Sequence, residues 1–119
     1  MRKIEYRGKR KDNNNWIYGD LIHHNEQIFI STYEHEPYEG ESSEVDPNTI
    51  GQYTGLNDRK EKEIYEGDTL KVNDPDPNHQ IQEVVFKDGA FCGYSEKKTC
   101  TYTFLEILIK AHSVEVINK

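Results

Sequence analysis

A chain of 119 residues is the size of one domain or of two very small lobes, which excludes a large multidomain enzyme. Hydrophobic residues make up 34% and charged residues 31%, with 22 Asp and Glu against 15 Lys and Arg for a formal net charge of -7, so a lean core must lie under a heavily solvated surface. That sign disfavours bulk attraction to nucleic acid or anionic lipid. No apolar run is long enough to cross a bilayer, and Met1-Arg2-Lys3-Ile4-Glu5-Tyr6 lacks the apolar stretch of a secretory signal, so a cytoplasmic location is expected. Cys92 and Cys100 are too few for a disulfide scaffold and are expected as free thiols.

The first eleven residues carry Arg2, Lys3, Arg7, Lys9, Arg10 and Lys11 against Glu5 alone, the composition of a basic arm or edge strand. Ile4 and Tyr6 alternate with Lys3, Glu5 and Arg7, which predicts a strand over residues 2–8 with one buried face. The turn-forming run Asp12-Asn13-Asn14-Asn15 leads into a second strand over Trp16 to Ile22, giving an antiparallel hairpin. A polar turn, His23 to Glu26, precedes a strand over Gln27 to Tyr33, with Ile28 and Ile30 on one face and Phe29 on the other. From Glu34 to Asp46 six carboxylates appear without a Lys or Arg, which predicts a mobile acidic loop.

Thr49 to Leu56 reads as a strand bracketed by glycines, and the charged turn Asn57 to Lys62 separates two lobes, 1–56 and 63–119, of a single domain. Thr69 to Val72 reads as a half-buried strand with Leu70 and Val72 inward. Asn73-Asp74-Pro75-Asp76-Pro77-Asn78 is a loop, because each proline removes a ladder donor and restricts the residue before it. Val84 to Cys92 predicts a two-residue hairpin on Asp88-Gly89. Phe104, Leu105, Leu108 and Ile109 recur at helical spacing, which predicts a short helix over 103–111, and Val114 to Ile117 reads as a last strand. The fold class expected is mainly β: a small antiparallel N-terminal sheet plus a C-terminal SH3-like small β-barrel, with one short helix near the C-terminus.

Glu66-Gly67-Asp68 offers a pair of carboxylates for acid–base work or a hard cation. Gly67, however, permits a left-handed backbone and Asp68 can accept amide hydrogens, so a structural turn is expected there. His23, His24, His35, His79 and His112 show no zinc-ligand spacing with each other or with the two cysteines, so no metal and no cofactor are expected. No phosphate-binding glycine loop or nucleophile elbow occurs, and the expectation is a protein that is not an enzyme. An unrecognised enzyme or metal protein would have to be built from Glu66, Asp68, His79 and Cys100. The candidate nucleic-acid interface is Arg2, Lys3, Arg7, Lys9, Arg10 and Lys11 with Trp16, flanked by Tyr6 and Tyr18, because cations neutralise phosphate while aromatic faces stack on unpaired bases. The competing reading gives the same aromatics to the core and the cations to edge protection. The acidic loop has a mirror-image alternative, imitation of the charge of DNA.

Ile50-Gly51-Gln52-Tyr53-Thr54-Gly55-Leu56-Asn57-Asp58, followed by Lys62-Glu63-Ile64-Tyr65-Glu66-Gly67-Asp68, resembles the signature of the YopX family. The resemblance extends to Ile4, Tyr6, Arg7, Gly8, Trp16, Tyr18 and Gly19, to Val45-Asp46-Pro47 with Thr49, and to Val84, Phe86 and Gly89-Ala90-Phe91. It implies a small protein encoded by phages and prophages of low-GC Gram-positive bacteria, working in the host cytoplasm. It brings no catalytic residue to carry over. Gln52, Tyr53, Thr54, Gly55, Asp58, Ile64, Tyr65, Glu66, Gly67 and Asp68 are mostly turn and core types, so they are read as fold-defining. In the family the last strand runs on into an Asn-Ile-Tyr-Glu-Asn-like tail, whereas this chain stops at Lys119, which implies an open edge for pairing with another subunit. The function expected is that of a non-enzymatic accessory protein. It would bind a host or phage macromolecule, a protein rather than nucleic acid, without membrane contact and with homo-oligomerisation through edge strands.

Overall fold

The computed structural model describes residues 3–32, 41–95 and 101–117; Arg2, residues 33–40 and Cys100 lie outside them. The chain is mainly β, in antiparallel sheets with one short helix near the C-terminus, and it divides into two compact units, Met1–Tyr53 and Thr54–Lys119.

The first unit holds β1 (Tyr6–Lys9), β2 (Trp16–His24), β3 (Gln27–Ser31) and β4 (Ser42–Glu44). It also holds the start of β5 (Gly51–Asn57), and the strand order is β4-β3-β2-β1-β5. The first hairpin sets Tyr6 opposite Gly19 and Lys9 opposite Trp16, with Asn14 left-handed in the turn. The second turn is shorter than the sequence pattern suggests. His23 and His24 remain in β2, and only Asn25 and Glu26 take left-handed backbone to reverse the chain. Ile17, Ile30 and Val45 form the buried core, with Tyr6, Leu21, Ile28 and Ile50 packed against it. Phe29, on the opposite face of β3, is half-buried.

Two expectations are corrected here. β1 is not an edge strand, because β2 and β5 flank it on either side. Its buried residues are Arg7 and Gly8, while Ile4 precedes the strand and is 58% exposed. Gly8 is tightly packed: a Cβ there would fall 3.0 Å from that of Val45, which would have to give way. Nor is Glu34 to Asp46 wholly a loop. Ser42 to Glu44 pairs with β3, Ser43 and Val45 alternate into the core, and Val45 bridges to Arg10. A period of two survives among the carboxylates because only the inward residues must be uncharged.

The second unit contains β6 (Glu63–Tyr65), which neighbours the end of β5, and β7 (Thr69–Val72), β8 (Ile81–Lys87) and β9 (Ala90–Ser95). After these come β10 (Thr101–Phe104), helix α1 (Leu105–Ala111) and β11 (Val114–Val116). The order β10-β9-β8-β7-β11 is a four-stranded meander whose first strand is joined on its outer side by the last. This order is compatible with an SH3-like barrel, although the sheet is not closed. Ile64, Leu70, Val72, Val84, Leu105, Leu108, Val114 and Val116 fill the core. The helix starts two residues later than its periodicity predicts, because Thr103 and Phe104 belong to β10 opposite Gly93 and Cys92. The loop at residues 73–78 runs into a 3-10 turn, Pro77–His79, capped by Asp76 on the Asn78 amide. Asp46 caps the turn at Pro47–Thr49 the same way, so Asp-Pro-Asn makes the same structure in both units.

The Asp88-Gly89 hairpin forms as its composition requires, with both residues left-handed and Lys87 opposite Ala90. A Cβ on Gly89 would meet nothing within 4 Å, so Gly89→Ala isolates the backbone cost of its φ of 84°. A loss of about 1 kcal/mol in urea unfolding is expected. No loss would mean that the turn relaxes to another type.

Candidate functional site

The register places Arg7, Lys9, Trp16 and Tyr18 on one face of the first unit's sheet, since Lys9 stands opposite Trp16 and Arg7 opposite Tyr18. Arg7, only 7% exposed, has its guanidinium carbon 4.3 Å from the centroid of the Trp16 ring, and the Lys9 ammonium lies 5.2 Å from the same ring. These are cation–π arrangements, the first of them largely desolvated. Tyr18 is exposed beside them, whereas Tyr6 packs into the core.

The remaining cations are matched by carboxylates of the same unit. Lys3 lies 3.2 Å from Glu5, Arg10 lies 3.0 Å from Asp12 and 2.9 Å from Glu41, and Lys11 lies 3.0 Å from Glu44. Hydrogen bonding to Asp12, against a smaller opposing desolvation and with help from Glu41, raises the Arg10 pKa above its ordinary value. The described part of the acidic segment is therefore seated on the basic strand. Charges read as two opposite clusters in sequence are neighbours in space.

The signature residues serve the backbone. Gln52 stands opposite Tyr6, the Tyr53 amide donates to the Glu5 carbonyl at 2.7 Å, and the Thr54 hydroxyl donates to the Ile64 carbonyl at 2.8 Å. Gly55 and Gly67 both have positive φ, and Ile64 and Tyr65 are buried. The buried Asp68 carboxylate accepts the Tyr65 amide at 2.8 Å while its own amide donates to the Tyr65 carbonyl and its carbonyl accepts the Val84 amide, and Glu66 is half-buried in the same turn. Asp58 accepts the amides of Lys60 and Lys62 on Oδ1 and of Val116 on Oδ2. His79 pairs with Asp76 at 3.5 Å. Among the described residues no group of three or more His, Cys, Asp or Glu is placed to hold a metal ion.

Two grooves in the second unit went unseen in the sequence. One, of about 360 Å³, is lined chiefly by Leu56, Phe91, Phe104, Leu105 and Ile107. Of its lining residues Phe104 and Ile107 are exposed, and Phe86 is exposed beside Phe91, whereas Tyr102 stands on the other face of the sheet. Phe86 meets Phe91 edge-on at 5.1 Å, Tyr94 and Tyr102 lie 4.7 Å apart, and the Lys87 ammonium sits 4.7 Å from the Tyr102 ring. The signal was the alternation Thr101-Tyr102-Thr103-Phe104, which merges into the helical pattern that follows. The second groove, of about 430 Å³, is polar, with Asp58, Arg59, Asn73, Lys110, His112 and Ser113 on its walls. Cys92, opposite Phe104 in the register, is free and buried, and burial, with Asp88 nearby, pushes its thiol above the ordinary range.

A family model described as YopX protein matches residues 5–117. The chain belongs to the YopX family. No curated protein matches it. The residues read as the YopX signature coincide with the hydrogen-bonded turns at the two ends of β6, where glycine and carboxylates serve the backbone geometry. No helix among the described residues is long and apolar enough to cross a membrane.

Proposed function

We propose that this YopX protein is a phage or prophage accessory protein without catalytic activity, which acts in the bacterial cytoplasm by binding a protein of the host or phage. The observation that carries the reading is the apolar groove of the second unit, with Phe104 and Ile107 exposed on its lining and Phe86 exposed beside Phe91. Large apolar side chains left in water at a groove are characteristic of a surface that a partner covers, and aromatic residues are enriched at the centres of such surfaces. Affinity capture of the tagged protein from host lysate, with and without nuclease, tests it. A nuclease-resistant protein partner that Phe104→Ser and Ile107→Lys both release, without loss of folding, is the expected result. A partner retained by both variants would move the contact elsewhere.

A second reading, nucleic-acid binding by the first unit, is favoured by the convergence of Arg7, Lys9, Trp16 and Tyr18 on one face. The Trp16 ring faces Arg7 and Lys9, and Arg10 and Lys11 are ion-paired, so among the described residues the reading rests chiefly on Lys9. It requires affinity that falls steeply with salt and is abolished by Lys9→Glu. Recovered DNA or RNA that survives that substitution would reject it.

A further inference from the structure

The polar groove of the second unit shares no lining residue with the apolar one. Its main cavity of about 430 Å³ joins a smaller one of about 290 Å³ through Arg59, Asn73 and Ser113, and Lys71 and Glu115 complete the smaller wall. Its hydrogen-bonding inventory is lopsided. The Arg59 guanidinium and the Lys71 ammonium make no ion pair or hydrogen bond with any described residue, and the Asn73 amide group and Ser113 hydroxyl have none either. Only the backbones of the last two are engaged, the Asn73 amide donating to the Ser113 carbonyl at 2.9 Å.

The carboxylates at this site are already committed. Glu115 stands opposite Lys71 in the register but turns to Lys60, 2.9 Å away, and the bond from Lys60, with a smaller contribution from the charge of Arg59, lowers its pKa. Asp58 accepts three backbone amides, two on Oδ1 and one on Oδ2. Two cations and two neutral donors thus line the smaller cavity against one carboxylate, Glu115, in a chain of net charge -7. At the other end of the groove the polarity reverses. Ile109, Lys110 and Ala111 form the C-terminal turn of α1, whose carbonyls have no partner further along the helix, and the His112 ring lies against Asn73 and Asp74.

We infer that this groove binds a phosphate monoester bearing hydroxyl groups, with the phosphate held by Arg59, Lys71, Asn73 and Ser113 and the hydroxyls directed toward the end of α1. Guanidinium and ammonium donors suit a dianionic oxyanion, and helix carbonyls suit hydroxyl donors.

Amide chemical-shift titration of the full chain with inorganic phosphate, ribose 5-phosphate, ribose and an oligothymidylate tests this. Saturable shifts at Arg59, Asn73 and Ser113 are expected with both phosphates, tighter for ribose 5-phosphate, and none with ribose. Arg59→Gln and Lys71→Gln should each weaken binding about tenfold with unchanged melting temperature, the effect of losing one charge-assisted bond. Ile107→Lys should leave it unaltered, which separates this site from the partner surface. Absence of saturable shifts, shifts that persist in both glutamine variants, or an oligothymidylate that binds more tightly than ribose 5-phosphate would overturn the assignment.

Discussion

Replacing Asp58 with Ala is expected to lower the stability of the second unit by about 3 kcal/mol or more, the largest loss from any one carboxylate described here. The side chain is 5% exposed and accepts backbone amides at 2.8 Å from Lys60, 2.9 Å from Lys62 and 2.9 Å from Val116. Removing it strands a buried donor on β11 as well as opening the 58–62 turn, where Glu61 is already left-handed. Asp58→Asn keeps one acceptor and should lose less. Burial by itself pushes the Asp58 pKa up, but the amides of Val116, Lys62 and Lys60 outweigh it and hold the group below the ordinary carboxylate value. With a folded pKa below the unfolded one, the contribution is complete above the unfolded-state value and is lost as pH falls through the folded one. Urea unfolding should therefore show the gap between the native protein and Asp58→Ala narrowing from neutral to strongly acidic pH. A constant gap would mean that the carboxylate acts by shape rather than by charge.

Gly19→Ala should be comparably severe, about 3 kcal/mol, and confined to the first unit. A Cβ at Gly19 would land on the Ser31 carbonyl oxygen and 2.8 Å from its carbonyl carbon, with the Thr32 Cα at 3.2 Å. These are backbone atoms of a strand paired with β2 and cannot rotate aside, so the β2–β3 register must shift or break. Thermal unfolding of Gly19→Ala beside Gly89→Ala distinguishes steric collision from simple turn strain. A loss at Gly19 no greater than at Gly89 would show that the two strands separate at little cost.

What the sequence disclosed was what neighbours in the chain decide. Asp88-Gly89 and the Asn13 to Asn15 run carry their own turn chemistry, and the inward alternation of Leu70 and Val72 needs no distant partner. The YopX resemblance, read from turn and core residues, holds over nearly the whole chain. What stayed hidden depended on remote segments. β1 is interior because Gly51 and Gln52 pair with it, and nothing near Arg7 announces that. Val45 is core although carboxylates dominate its surroundings, since only its own face is buried. The polar groove draws Arg59, Lys71 and Ser113 from three separate stretches, and its unmatched donors emerge only after Glu115 is seen to face Lys60.

The pairing of Val114–Val116 with β7 also dictates an order of manufacture. A ribosome delivers residues at roughly 5 to 20 per second, so the strands of the first unit can pair while the second is still being made. Until Val116 is delivered, Asp58 has only its two local amides and β7 has an open side. The second unit is thus completed by a late clasp, and a nascent chain halted before it would present chaperones and proteases with an unfinished second sheet.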